Sequence, residues 1–154
     1  MLNMKNFILQ KNDGSKFDLA KYQGNDYLIL IFFRGAWCNH CKKQLLDINN
    51  HYAEFSELQI KPLAISCDSK LKSNLLKNFL KLKFSVLSDS EFAVIDYFNL
   101  KTEYKGQIVS KPATILIEPQ KHKVIYEYVG VDYDDRLSAK TILNNIKQPV
   151  RSNL

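Results

Sequence analysis

Cysteine is scarce in this chain of 154 residues: Cys38, Cys41 and Cys67 are the whole complement. Three unevenly spaced thiols exclude the disulfide framework of a small secreted domain. Long apolar runs are lacking too. The longest, Tyr27-Leu28-Ile29-Leu30-Ile31-Phe32-Phe33, has seven residues, against the roughly 20 that a membrane-spanning helix needs. Arginine is rare, with Arg34, Arg136 and Arg151 among 22 basic residues and a net charge of +6. Bidentate phosphate and base contacts favour arginine, so a scattered lysine excess reads as solubility, and no nucleic-acid partner is expected. The excess is densest between Lys70 and Lys83, where it can serve a membrane surface or an acidic partner. The reading taken is a solvated face over a packed one, with no membrane partner. The opening residues 1–11 carry no apolar core or cleavage motif of a secretory signal, so a cytoplasmic, reducing setting is expected. Repeats, low-complexity segments and linkers are absent. A single domain over residues 1–154 is expected, long enough to bury about 70% of its unfolded surface.

What is there is a run of alternating strand and helix signals. Phe7–Gln10 and Lys16–Leu19 read as a hairpin around Asn12-Asp13-Gly14-Ser15. Tyr27–Phe33, apolar at every position, reads as a central strand covered on both faces. Cys41, Leu45, Ile48, Tyr52 and Phe55 then recur at helical spacing over about four turns. Ile60–Ser66 is a strand with Pro62 near its start. Asp68 or Ser69 can cap a helix burying Leu71, Leu75, Leu76, Phe79 and Leu80, with Lys70, Lys77 and Lys81 outward. Phe84–Leu87 is extended. Asp89 or Ser90 caps a helix through Phe98, with Asn99 as a left-handed stop. Thr114–Glu118 and Val124–Val129 form a hairpin around Pro119–His122. Asp134 or Asp135 caps a last helix, with Leu137, Ile142, Leu143 and Ile146 inward, ending before Pro149. Parallel strands joined by helices, then an antiparallel pair, define an α/β fold with a central mixed sheet flanked by helices and an N-terminal hairpin.

The chemistry sits in Trp37-Cys38-Asn39-His40-Cys41, a Cys-x-x-Cys pair between the apolar strand and the first helix. Two sulfurs on one turn can close and reopen a disulfide with little backbone movement. A helix N-terminus favours thiolate, because its unpaired N–H groups and dipole face the sulfur. A protonated His40 between the thiols would add to that, and Arg34 offers a fork of donors for a thiolate or sulfenate. Trp37 is placed over the site. Cys67, after a buried strand, reads as structural, and His51 and His122 as surface residues. The alternatives are a zinc site from Cys38, His40, Cys41 and Cys67, or a binding or scaffold protein using the lysine-rich helix. Neither metal nor cofactor is expected in the redox reading.

Gly14–Leu19 with Tyr22-Gln23-Gly24, Phe32–Cys38, Ala64–Ser69 with Phe84–Asp89, and Lys111–Ile117 together resemble, in order, the alkyl hydroperoxide reductase/thiol-specific antioxidant family. This is the peroxiredoxin-like branch of the thioredoxin fold. The resemblance implies a thiol oxidoreductase that reduces peroxides or protein disulfides by a Cys38–Cys41 dithiol/disulfide cycle. It implies a thioredoxin- or glutathione-type electron donor, and no particular oligomeric state. It also implies a cis bond before Pro112, whose backbone would bind substrate. In the thioredoxin register Cys38 attacks and Cys41 resolves; in the peroxiredoxin register the roles reverse. Aligned on Cys41, the family's proline and threonine positions hold Arg34 and Cys38; aligned on Cys38, they hold Ile31 and Gly35. Its second arginine is expected near the facing strand, where Lys111 stands, leaving Arg136 and Arg151 unassigned.

Overall fold

The computed structural model describes residues 3–152. Nine strands and five α-helices follow the sequence-derived order, with one hairpin added. The strands are β1 (Ile8–Lys11), β2 (Lys16–Asp18), β3 (Tyr27–Phe32), β4 (Ile60–Ser66), β5 (Val86–Ser88), β6 (Lys101–Tyr104), β7 (Gln107–Ser110), β8 (Ala113–Glu118) and β9 (Lys123–Val129). The helices are α1 (Asn39–Asn50), α2 (Tyr52–Glu57), α3 (Lys70–Leu80), α4 (Ala93–Tyr97) and α5 (Ala139–Ser152).

Seven strands form one mixed sheet in the order β2-β1-β5-β4-β3-β8-β9. β3 lies parallel to β4, β4 parallel to β5, and β8 antiparallel to both β3 and β9. Every residue of β3 is buried. Its alternate side chains feed two cores: Tyr27, Ile29 and Ile31, with Phe33 just past the strand, join α1, α3 and α5 on one face, and Leu28, Leu30 and Phe32 join α4 and the N-terminal hairpin on the other. A continuous apolar strand is what a sheet covered on both faces requires. Pro62 of β4 lies before β5 begins to pair at Ala64–Val86.

Five local features depart from the sequence reading. The first helical face is kept, but the helix breaks at His51, where Asp47 O receives the His51 N–H and lies 2.8 Å from its Nδ1. On α3 the buried side chains are Ser73, Leu76 and Leu80, whereas Leu71, Leu75 and Phe79 are 68%, 59% and 76% exposed. Lys77 turns inward instead, its Nζ donating to the carbonyls of Leu82 and Phe84. Capping α3 falls to Ser69, which accepts from Lys72 N. Helix α4 is short, because Asp89 receives the N–H groups of Ala93, Val94 and Ile95 across the left-handed Phe92; Asn99 is left-handed as expected. Helix α5 starts behind Ser138, whose Oγ accepts from Thr141 N, while Asp135 is committed to Tyr128 and Val131 N. It runs through Pro149 to Ser152; a proline in a last turn disrupts little helix beyond itself. The added hairpin β6–β7 forms its own two-stranded sheet, closed by Lys105 and Gly106, both at positive φ. No helix among the described residues is long and apolar enough to cross a membrane.

Candidate functional site

The end of β3 delivers the site. Phe33 N–H donates to Ile65 O, Arg34 follows, and Cys38 N–H closes a turn on Gly35 O. Gly35 leaves room there for the Trp37 indole, which a Cβ would displace. Asp68, at the end of β4, holds the turn from the other side by accepting from Ala36 N at 2.7 Å. Cys38 is then the N-cap of α1, in extended backbone, with Cys41 one turn inside. Its sulfur takes the place of a capping oxygen.

Both thiols are unbonded and buried, Cys38 at 1% exposure and Cys41 fully. Cys38 Sγ accepts from Cys41 N–H at 3.3 Å and from the Arg34 guanidinium at 3.2 Å. Cys41 Sγ accepts from Arg34 N–H at 3.4 Å and from the Arg136 guanidinium at 2.9 Å. The sequence left Arg136 unassigned, yet it is the cation on the inner sulfur. It stands 95 residues from Cys41 in the chain, brought back by the irregular segment between β9 and α5. No local motif could announce it; the only signal was a rare arginine just ahead of the last helix. Gln44 fixes it from α1, accepting from Arg136 and donating to Leu137 O.

These contacts split the two thiols. The Cys38 thiol is lowered to about 5, first by the hydrogen bond from the Cys41 thiol, then by those from Arg34 and Cys41 N, against its own burial. The Cys41 thiol is pushed up, first by burial and then by donating to Cys38. Arg136 opposes that rise, but a fully buried thiol next to an anion keeps its proton. The surroundings thus favour the thiolate at Cys38 and the protonated thiol at Cys41.

Arg34 is itself enclosed. Its Cζ lies 4.4 Å from the Tyr104 ring and 4.8 Å from each of the Trp37 and Tyr133 rings. Trp37 stacks on Tyr104 at 5.3 Å and 13°, over the Arg34 guanidinium. Arg34 is 5% exposed, and its Nε and NH1 have no hydrogen-bond partner among the described residues. Tyr104 belongs to the β6–β7 hairpin and Tyr133 to the segment before α5.

The remaining expected residues lie apart from the sulfurs. His40 is exposed and packs on Tyr133 at 5.2 Å; the cations facing the thiols are arginines. Pro112 is buried beside the strand end, since Ala113 pairs with Phe32, and its carbonyl receives Gly130 N–H. The expected cis bond is absent: every peptide bond among the described residues is trans. Trans is the ordinary preference of an X–Pro bond; the preceding Lys111 N–H donates to Leu100 O. Cys67 Sγ faces the carbonyls of Ile108 and Arg34 at 3.8 and 4.0 Å. Among the described residues no three His, Cys, Asp or Glu side chains converge as a metal site, so the four residues of the zinc alternative are not brought together. Beside Cys41 an open groove of about 430 Å³ is lined by His40, Lys43, Gln44, Asp47 and Arg136 among others.

Known proteins carry the same fold. Peroxidoxin BcpB of Mycobacterium tuberculosis superposes with a TM-score of 0.82 at 20% identity, covering 98% of this chain and 95% of its own. In sequence, the thiol-disulfide oxidoreductase ResA of Bacillus thuringiensis is 27% identical over 135 residues, 86% of this chain and 70% of that protein. Chloroplastic peroxiredoxin Q of Oryza sativa subsp. japonica is 24% identical over 111 residues, 72% of this chain and about half of that protein. The profile of the AhpC/TSA family matches residues 2–127. With its thioredoxin-like sheet and paired thiols, the chain belongs to the AhpC/TSA family and is a thiol oxidoreductase of the peroxiredoxin-like kind.

Proposed function

We propose that Cys38 is the attacking thiolate and Cys41 the resolving thiol of a dithiol/disulfide cycle that reduces peroxides or protein disulfides. The observation that carries this is the ordering of the two sulfurs. Cys38 receives three donors at the start of α1, whereas Cys41 is buried behind it and protonated. Thiolate is the nucleophile in both reactions. With a hydroperoxide, the Cys38 sulfur attacks one oxygen, the O–O bond breaks, and the leaving oxygen departs as hydroxide or alkoxide and takes up a proton. Cys38 is left as sulfenic acid. The Cys41 sulfur then displaces that oxygen as water and closes the disulfide. With a disulfide substrate, Cys38 forms a mixed disulfide and Cys41 resolves it, releasing a dithiol. A thioredoxin- or glutathione-type thiol returns two electrons in either case, in a reducing setting such as the cytoplasm.

Arg34 holds the thiolate through one N–H, and its Nε and NH1, without a partner among the described residues, can donate to the oxygen of a peroxide or sulfenate. Arg136 favours deprotonation of Cys41 when it must attack. Trp37 covers this pair, and Pro112 supports the strand end beneath it. The test is a single-turnover reaction of reduced protein with hydrogen peroxide and with a disulfide. The expected result is that Cys41→Ser still consumes one equivalent and Cys38→Ser consumes none. Retention by Cys38→Ser alone would reverse the assignment.

A further inference from the structure

We propose that Tyr104 and Tyr133 are specificity-determining residues: with Trp37 and Arg34 they form a gate over Cys38 that admits small oxidants and holds back bulky disulfides. This rests on the reading of Cys38 as the attacking sulfur. Attack on a disulfide needs the sulfur of Cys38 in line with the S–S bond of the incoming molecule, which brings two substituents with it. Cys38 is 1% exposed and presents no such approach.

The covering groups form two layers. The Arg34 guanidinium lies directly on the sulfur, at 3.2 Å. Outside it stand the three rings, with Trp37 and Tyr133 about half exposed. The rings come from three separate places: the turn before α1, the β6–β7 hairpin and the segment between β9 and α5. Arg34 joins them, because a guanidinium attracts each aromatic face. Among the described residues the two strands of the hairpin carrying Tyr104 pair only with each other, outside the main sheet. The segment carrying Tyr133 is held by Asp135, through Tyr128 and Val131 N, and by Arg136, whose Nε donates to Tyr133 O. An oxidant of a few atoms needs only a small displacement of one ring to reach Cys38 and the Arg34 N–H groups that have no partner among the described residues. A disulfide with aromatic or peptide substituents needs the hairpin and the segment to part.

The test uses the full chain with Cys67→Ser, so that only the paired thiols react. Single-turnover rates are measured with hydrogen peroxide and with dithiobis(nitrobenzoate), whose S–S bond Cys38 breaks to release one thionitrobenzoate before Cys41 resolves the mixed disulfide and releases the second. The chains compared are the parent, Tyr104→Ala, Tyr133→Ala and Tyr133→Phe, and thiolate absorbance of each fixes a pH at which Cys38 is equally ionised. The gate predicts that each alanine variant raises the disulfide rate roughly tenfold or more while the peroxide rate moves less than about threefold. Tyr133→Phe, which keeps the ring, stays with the parent. Equal shifts in both rates, or none, overturn the gate while leaving Cys38 as the nucleophile. If Cys38 reacts with neither probe in the parent and both alanine variants, the attacking-thiolate reading fails and the gate falls with it. A parent that reacts with peroxide but not with the disulfide, beside alanine variants that react with both, supports the gate.

Discussion

At the scale of single residues, the decisive arrangement is two sulfurs held between two guanidinium groups. A charge-assisted hydrogen bond contributes about twice what a neutral one does, and it favours only the ionised partner. Removing the Arg34 charge therefore acts on the Cys38 thiol more than on the fold. In Arg34→Met the titration of Cys38 is expected to rise from about 5 towards the ordinary thiol range, because a bonded cation is lost. The thiolate absorbance followed against pH measures this; an unmoved titration would show that Arg34 does not hold the anion. Most of this chemistry was legible in the sequence. The Cys-x-x-Cys spacing, the strand before it and Arg34 are adjacent in the chain. Arg136, Tyr104 and Tyr133 were not, since their place depends on how distant segments return over the sheet.

At the scale of elements, α3 shows where periodicity runs out. Its residues make two apolar rows, Leu71-Leu75-Phe79 and Leu76-Leu80, and a helical repeat does not say which faces inward. The fold buries the second row with Ser73 and turns the ammonium of Lys77 onto two carbonyls. Leu76→Ala is accordingly expected to cost about 2–5 kcal/mol, and Leu75→Ala to stay within about 0.5 kcal/mol. Urea unfolding of the two variants checks this; the reverse order would mean that α3 is rotated. The β6–β7 hairpin escaped the sequence reading for a related reason. Its burial alternates weakly, and only Lys105-Gly106 marks the turn. By contrast β3 was plain, because a strand buried on both faces has no polar position to confuse it.

At the scale of the whole molecule, the lowered thiol ties stability to pH. Unfolded, Cys38 titrates near about 8.5; folded, it titrates at about 5. Between those values the unfolded chain binds more protons, so this group's contribution grows as pH rises and is lost as pH falls through the folded value. Cys41 shifts the other way, and its effect is confined to pH above the ordinary thiol range. Reduced protein is therefore expected to gain stability relative to Cys38→Ser from pH 5 to 8.5, by urea unfolding, and to lose that slope once the disulfide forms. A difference that stays flat with pH would mean that the folded thiol is unshifted. The family's sheet supplies the setting for this linkage: β3 and β4 end side by side, so that Arg34, Cys38 and the Asp68 anchor meet at one edge.

The central claim is that Cys38 is a thiolate at neutral pH while Cys41 is not. Thiolate absorbance near 240 nm, titrated in reduced protein with Cys67→Ser, tests it most directly. A single step equivalent to one thiolate, with a midpoint near pH 5, is predicted for the parent. The step should vanish in Cys38→Ser. In Cys41→Ser it should persist at higher pH, because the principal donor to Cys38 is altered. A first step near the ordinary thiol value of about 8.5, or one that survives in Cys38→Ser and disappears in Cys41→Ser, would contradict the account.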